Sequence, residues 1–158
     1  MKLSFLMPLN VENIARAKKL SYDGLEVGAG WLTSPTLAEM EANLPALKGA
    51  LGEAGIGVTS VAIYGNTIGS PVDEAVAYWE RAMKVAVAFG CGVVSGLTGR
   101  DNALTVDDNL PLFAARFGPI CERAEDLGIK LALEPWPGSV LGHGPYRWTN
   151  MATTPELW

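Results

Sequence analysis

Short apolar runs alternate with longer amphipathic segments along this chain. The runs near 3–7, 23–28, 58–64, 93–97 and 129–134 are each long enough for one buried strand. In the segments between them, apolar residues recur every three to four positions, which gives a helix one apolar face. The pattern therefore predicts strands and helices in alternation.

The first two amphipathic segments begin with residues that cap helices. Asn10 should cap a helix over 11–20. Ser34-Pro35-Thr36 opens the next helical region with a capping residue, and an internal proline should divide that region into two pieces near 36–43 and 45–54. These lengths suit helices that connect neighbouring strands.

The two later helices are longer and have clearer apolar stripes. One should begin near 71–73, at a proline or an aspartate, and end at Phe89. The other should begin at Asp107 or Asp108, end at Leu127 and bend at an internal proline. The side chains that we expect to face the core are Val76, Trp79, Met83, Ala86 and Val87 in the first, and Leu110, Phe113, Phe117, Ile120, Cys121 and Ala124 in the second.

A glycine before each later strand gives the pattern a regular interval. Gly24, Gly55, Gly90 and Gly128 are about 31 to 38 residues apart, which is the size of one strand-plus-helix unit. No two-residue hairpin turn joins neighbouring strands, so we expect parallel strands with right-handed crossovers. An open doubly wound sheet and part of a closed barrel both fit. The lack of a Gly-x-Gly-x-x-Gly or phosphate-loop motif weakens the nucleotide-binding sheet.

Composition narrows the class of protein. The 158 residues are 49% hydrophobic and 18% charged, as expected for one globular domain over 1–158. A net charge of −5 and no basic run argue against nucleic-acid binding. No signal peptide or membrane span is evident, and Cys91 and Cys121 lack metal-ligand spacing. We expect two buried reduced thiols and a cytoplasmic protein.

Glu134 is the strongest chemical candidate. It ends the fifth apolar run, where a carboxylate is costly unless something pairs with it. In barrels of alternating strands and helices, active sites are built at this end of the strands. A cation ligand and proton carrier is one interpretation, and a structural acid paired with Arg100 or a backbone donor is the other. Glu26 has the same position on the second strand, where we favour a structural pair with Lys2 or Arg100.

Other polar and aromatic residues follow the predicted strands. Each could contact a substrate, and each could equally stabilise a loop or pack against its neighbours. His143, the only histidine, lies between glycines, where an exposed loop residue is the simpler interpretation. The candidate substrate-binding residues are Trp31, Tyr64, Asn66, Arg100, Trp136 and His143.

Several segments together resemble the sugar phosphate isomerase/epimerase family, the xylose isomerase-like TIM barrels. They are YDGLEV at 22–27, AGIGVTSV at 54–61, the segment 82–92 ending in FGCG, AEDLGIKLALEP at 124–135, and Asn150 followed by TPE at 154–156. The resemblance implies a partial (β/α)8 TIM barrel with about five parallel strands. It covers the first half of the family's barrel.

The resemblance also implies a chemistry for Glu134. Its counterpart in the family binds a divalent metal, here Mn²⁺, Mg²⁺, Co²⁺ or Zn²⁺, and takes part in proton transfer on a sugar or sugar phosphate. The family's other ligands lie on strands six to eight, so the metal site would be incomplete. The proline and tryptophan after Glu134 depart from relatives that carry a second acid or histidine there, which leaves the substrate open.

One other enzymatic function remains open, an inosose-dehydratase-like lyase, which would need the same metal. A repair endonuclease on this barrel would need many histidines, and the single histidine argues against it. The helix start signal at 153–156 suggests truncation before strands six to eight. A non-catalytic half-barrel is therefore a third hypothesis. Its open strand edges should make the chain inactive alone and prone to self-association.

Overall fold

Five parallel strands and five helices alternate in the computed structural model, which describes residues 2–30, 33–138 and 148–153. The alternation and the parallel pairing predicted from the sequence are confirmed. The elements are β1 (Ser4–Leu6), α1 (Val11–Lys19), β2 (Gly24–Ala29), α2 (Leu37–Ala42), α3 (Leu44–Ala54), β3 (Gly57–Ile63), α4 (Val72–Ala88), β4 (Val93–Gly96), α5 (Val106–Leu127) and β5 (Lys130–Leu133).

The strand order decides between the two architectures left open by the sequence. The strands lie in the sequential order β1-β2-β3-β4-β5, without the reversal that defines a doubly wound sheet. The fold is therefore a partial TIM barrel, an open sheet with β1 and β5 at its edges. None of the helices in the described part of the chain is long and apolar enough to cross a bilayer.

The core lies between the sheet and the helices. Leu25, Val27, Val61 and Val94 are fully buried on the helix-facing side of the central strands. A strand alternates its side chains between two faces, so the residues between them point to the opposite, concave side. That side is where the candidate site residues of the strands lie.

Trp79 on α4 packs closely over the sheet. It is 1% exposed, its ring meets that of Phe117 edge-on at 5.5 Å, and its Nε1 donates to Thr67 Oγ1 at 3.0 Å. A Cβ at Gly96 would come 2.6 Å from Ile63 O and 2.9 Å from the Trp79 ring. Only a glycine on β4 therefore leaves room for the indole.

Most predicted helix ends are correct, and one cap is wrong. Asn10 caps α1, and Thr36 caps α2 with a capping box through Glu39. The cap of α5 is Thr105, whose Oγ1 accepts from Asp108 N at 3.1 Å, rather than an aspartate. The aspartates instead lie in the first turn, where negative charge favours the helix.

Three residues of the predicted apolar stripes do not reach the core. Val87 and Leu110 are 48% and 47% exposed, and Cys121 is exposed. Cys91 is buried as expected, and burial raises the pKa of its thiol. α5 packs on α4 and on the edge strand β5, so its other flank is left without a partner among the described elements.

Candidate functional site

A cavity of about 420 Å³ opens at the carboxyl ends of the strands, on the concave side of the sheet. Leu6, Tyr64, Leu97, Glu134 and Trp136 line it. Each of the first four comes from, or directly follows, a different strand. The sheet therefore brings together three residues that the sequence singled out, namely Tyr64, Glu134 and Trp136.

The carboxylate of Glu134 is in an unfavourable position for a negative charge. Burial, and then the nearby charge of Glu26, raise the pKa of its carboxyl above the usual range. Its backbone N–H completes the ladder by donating to Gly96 O at 3.0 Å. A carboxyl whose pKa is raised keeps its proton to a higher pH than an exposed glutamate does, which suits a group that exchanges protons.

Tyr64 is an uncharged hydrogen-bonding group at the same cavity. Burial, followed by the charges of Glu134 and Glu26, raises its pKa to about 12. The phenol therefore keeps its proton at physiological pH. It can act as a donor to a substrate oxygen or to a carboxylate.

Glu26 belongs to a chain of polar groups on the concave face. Ser95 Oγ donates to Glu26 Oε1 at 3.1 Å, and Ser60 Oγ lies 2.7 Å from Ser95 Oγ. Since Ser95 has one proton and gives it to the carboxylate, Ser60 is the donor to Ser95. The expected pair with Lys2 or Arg100 is wrong, because the Ser95 hydroxyl on β4 reaches across the concave face to this carboxylate instead.

Asn66 joins two loops and does not line the Glu134 cavity. Its Nδ2 donates to Arg100 O at 2.8 Å, and its Oδ1 accepts from the backbone N–H groups of Gly69 and Arg100. It lines a second cavity of about 320 Å³, together with Glu74 and Tyr78 on α4. Its amide is thus used by the fold.

Arg100 turns toward its own loop. Its Nη2 donates to Leu104 O at 3.0 Å, so it is not the partner that the sequence offered for Glu134. Its Nε is buried and has no hydrogen bond among the described residues.

Trp136 is 58% exposed and forms one wall of the cavity. An aromatic side chain there can pack against the apolar face of a sugar ring. The two remaining candidates, Trp31 and His143, lie outside the described residues.

Asn150 was not singled out for a role in the site, yet it holds the backbone around Glu134. Its Nδ2 donates to Glu134 O at 3.0 Å and to Trp136 O at 2.8 Å. Its Oδ1 accepts from Gly99 N at 3.1 Å and, through a short hydrogen bond, from the Thr98 hydroxyl. Its position in the chain gives little signal for these contacts, which depend on how three chain segments meet.

The described residues supply only part of a metal site. They contain no group of three or more His, Cys, Asp or Glu side chains that could hold a metal ion. The carboxylates of Glu134 and Glu26 nevertheless fit one side of such a site. A divalent cation would relieve the burial and like-charge cost at Glu134 and is suited to carboxylate oxygen.

Comparison with known proteins identifies the family. The sequence model described as "Xylose isomerase-like TIM barrel" matches residues 14–156. The chain belongs to this family. The resemblance noted in the sequence is thereby confirmed, as is the barrel type of the sheet. No curated protein sequence matches the chain.

Solved structures share the fold of this family member at low identity. A 3-keto-D-glucoside 4-epimerase from E. coli is 18% identical with a TM-score of 0.71, covering 95% of this chain and 58% of that one. A D-psicose 3-epimerase from Clostridium cellulolyticum is 18% identical with a TM-score of 0.65, covering 84% and 52%. A mannonate dehydratase from Streptococcus suis is 16% identical with a TM-score of 0.66, covering 99% and 59%.

The three structures share little sequence with this chain and are longer than it. The chain spans between 52% and 59% of the length of those three structures. The likeness shows the fold, and a fold alone does not determine which reaction a protein carries out.

Proposed function

We propose that these residues form part of a metal-dependent sugar or sugar-phosphate isomerase or epimerase, which moves a proton next to a carbonyl group. The observation that carries the proposal is the cavity at the strand ends with Glu134 at its rim. The raised pKa of this carboxyl, caused by burial and by Glu26, suits a group that exchanges protons.

Each described residue of the cavity then has a defined task. Glu134 would carry the proton and contribute an oxygen ligand to the cation. Tyr64 would donate a hydrogen bond to a substrate oxygen, and Trp136 would pack against the sugar. When bound, the divalent cation (Mn²⁺, Mg²⁺, Co²⁺ or Zn²⁺) would polarise the substrate carbonyl.

A dehydratase is the second candidate function. The mannonate dehydratase shares the fold over 99% of this chain. Loss of water from a hydroxy acid or inosose also begins with removal of a proton next to a carbonyl or carboxyl group. Product analysis by NMR separates the two reactions, because dehydration removes water and leaves a carbon without its hydroxyl group, whereas isomerisation and epimerisation keep the molecular formula.

The chain's net charge bears on one other class of partner. With a net charge of −5, nucleic acid is disfavoured as a ligand. We place the protein in the cytoplasm, where its two free thiols would stay reduced.

The test of the proposed function is Glu134→Gln in the longest protein that contains these 158 residues. Turnover of a panel of ketoses and ketose phosphates with Mn²⁺ would be followed by solvent deuterium incorporation. We expect kcat to fall about 100-fold or more, since general acid–base groups contribute about 10²- to 10⁴-fold. Glu74→Gln, an acid at the second cavity, is the matched control and should retain activity. Turnover of the Glu134 variant within twofold of the parent would refute the role.

A further inference from the structure

The oxygen and the nitrogen of the Asn150 amide each make two hydrogen bonds, and these bonds fit only one orientation of the amide. The side chain is 1% exposed and makes four hydrogen bonds, the most that an amide of this shape commonly supports. The backbone N–H of Gly99 can only donate, and the carbonyls of Glu134 and Trp136 can only accept. The oxygen of the amide therefore faces Gly99, and its nitrogen faces the backbone carbonyls of Glu134 and Trp136.

The backbone after β5 has few other anchors. Glu134 N makes the last ladder bond, to Gly96 O. The next residue and the one after Trp136 are prolines, which have no N–H to donate. Among the described residues, the other hydrogen bonds to this backbone are those of Asn150 Nδ2 to Glu134 O and Trp136 O, and that of Thr149 N to Pro137 O.

The two residues held in this way are the acid and the aromatic wall of the cavity. Glu134 and Trp136 both line it. We propose that Asn150 is a positioning residue, which acts through the main chain of Glu134 and Trp136 to hold the carboxylate and the indole in register across the cavity. The proposal rests on the proposed function for its catalytic consequence, but its structural part stands independently.

The chemistry of the amide explains why a near-isosteric aspartate should not replace it. An aspartate would place a carboxylate oxygen against the two carbonyl oxygens and would supply no donors to them. Both carbonyls would be left without their partner in a buried place, which is costly. The residues on the two sides of Pro135 should then move relative to the strand.

The experiment compares Asn150→Asp with Asn109→Asp. Asn109 is also fully buried, at 0% exposure, and its amide likewise bonds to backbone groups, those of Asp101 and Thr105. It does not contact Glu134 or Trp136. The two variants thus make the same chemical change at equal burial, and only one of them touches the cavity residues.

The chain offers a direct spectroscopic readout that does not require activity. Glu134–Pro135 is its one Glu–Pro pair, and Trp136–Pro137 is its one Trp–Pro pair. Protein labelled with ¹³C-carbonyl Glu and Trp and with ¹⁵N Pro therefore gives one assigned carbonyl resonance for each. We expect both resonances to shift in Asn150→Asp and to stay in place in Asn109→Asp.

Activity supplies the second readout. In the longest protein containing this chain, kcat of Asn150→Asp should fall about 10- to 100-fold with a smaller change in KM, as expected for a misplaced catalytic group. Asn109→Asp should leave the ratio of kcat to KM close to that of the parent, even where its melting temperature falls.

Failure of this proposal can be told apart from failure of the proposed function. Unmoved carbonyl resonances in Asn150→Asp, or equal shifts in Asn109→Asp, would overturn the positioning role whatever the activity. If Glu134→Gln keeps its turnover, the function is wrong while the resonance test still applies. Should Asn150→Asp not fold, Thr98→Val removes a hydroxyl bonded to the same amide. It should shift both resonances by a smaller amount, and no shift would overturn the proposal.

Discussion

At the scale of single residues, the ionised form of Glu134 is electrostatically disfavoured in the described fold. Burial and the charge of Glu26 both disfavour its ionised form. Such a penalty is typical of groups kept for function rather than for stability. Removing the charge should therefore harm activity while it helps the folded state.

The stability of Glu134→Gln should depend on pH. The folded pKa of Glu134 is raised, so the folded state binds its proton more tightly than the unfolded chain. Stability of the parent is then lost as pH rises through the unfolded and the folded pKa. We expect the variant to melt at a higher temperature than the parent at pH 7 and at the same temperature near about pH 3. Thermal unfolding in the absence of added metal measures this.

The control for that measurement is Glu122→Gln, an exposed acid within α5. Its melting temperature relative to the parent should change little between the two pH values. A Glu134 variant that is less stable than the parent at pH 7 would contradict the electrostatic argument.

The sequence predicted the strand residues of the site better than the loop residues. Glu134 directly follows β5 and Tyr64 directly follows β3, so periodicity and strand direction were enough to place both at the cavity. Asn66 and Arg100 lie in loops, where hydrogen bonds to Gly69 and Leu104 decide the direction of the side chain. Such bonds depend on tertiary placement, which spacing along the chain does not record.

At the scale of elements, the sequence likewise predicted the extent of a helix better than its capping residue. The stripe of α5 predicted its length closely, but Thr105 rather than an aspartate is the cap. Aspartate and threonine are both good caps, and the choice depends on which residue is the last with an extended backbone before the helix. Thr105 is that residue, with a φ of −66° and a ψ of 171°.

Thr105→Ala should destabilise the protein by about 1 kcal/mol, the usual cost of losing such a cap. Asp107→Ala is the matched control in the first turn, and it should cost only about 0.3 kcal/mol through the helix dipole. Urea unfolding gives both values. A greater loss in the aspartate variant would mean that the cap is assigned wrongly.

At the scale of the whole molecule, β1 and β5 are the two edges of the sheet that the described residues form, and no described strand pairs with their outer sides. β1 and β5 each pair with one neighbour, and the strand residues Lys130 and Ala132 are exposed. Beside β5, a largely apolar groove of about 440 Å³ runs along α5, lined by Phe113, Ala114, Phe117, Gly118, Cys121, Leu131 and Leu133. Unpaired edges next to apolar surface favour association.

We expect the 158-residue chain to self-associate at about 100 µM, a concentration at which exposed strand edges commonly do so. Ala132→Lys places a charge on the edge strand and should lower the average mass in light scattering. Val87→Lys makes an equal change on α4, which packs on the central strands, and should leave the mass unchanged. A monodisperse monomer for the parent chain would contradict the prediction.

The whole-molecule architecture was the most predictable feature. Glycines at a regular interval and alternating strand and helix patterns sufficed to predict five parallel strands. The burial of individual side chains on α5 was harder to predict. Leu110 and Cys121 belong to the apolar stripe of this helix, yet both are exposed because no described element covers that flank. Periodicity reports which face of a helix is apolar, and it does not report whether another element packs there.

The four bonds of Asn150 also bear on how this region responds to substitution. Asn150 lies 16 residues after Glu134 along the chain, and Thr149 N donates to Pro137 O at 3.1 Å beside it. These contacts hold residues 134–137 against residues 149–150. The backbone that carries Glu134 is therefore held by residues distant in the sequence, so a substitution at 149–150 can displace it as directly as a substitution beside it.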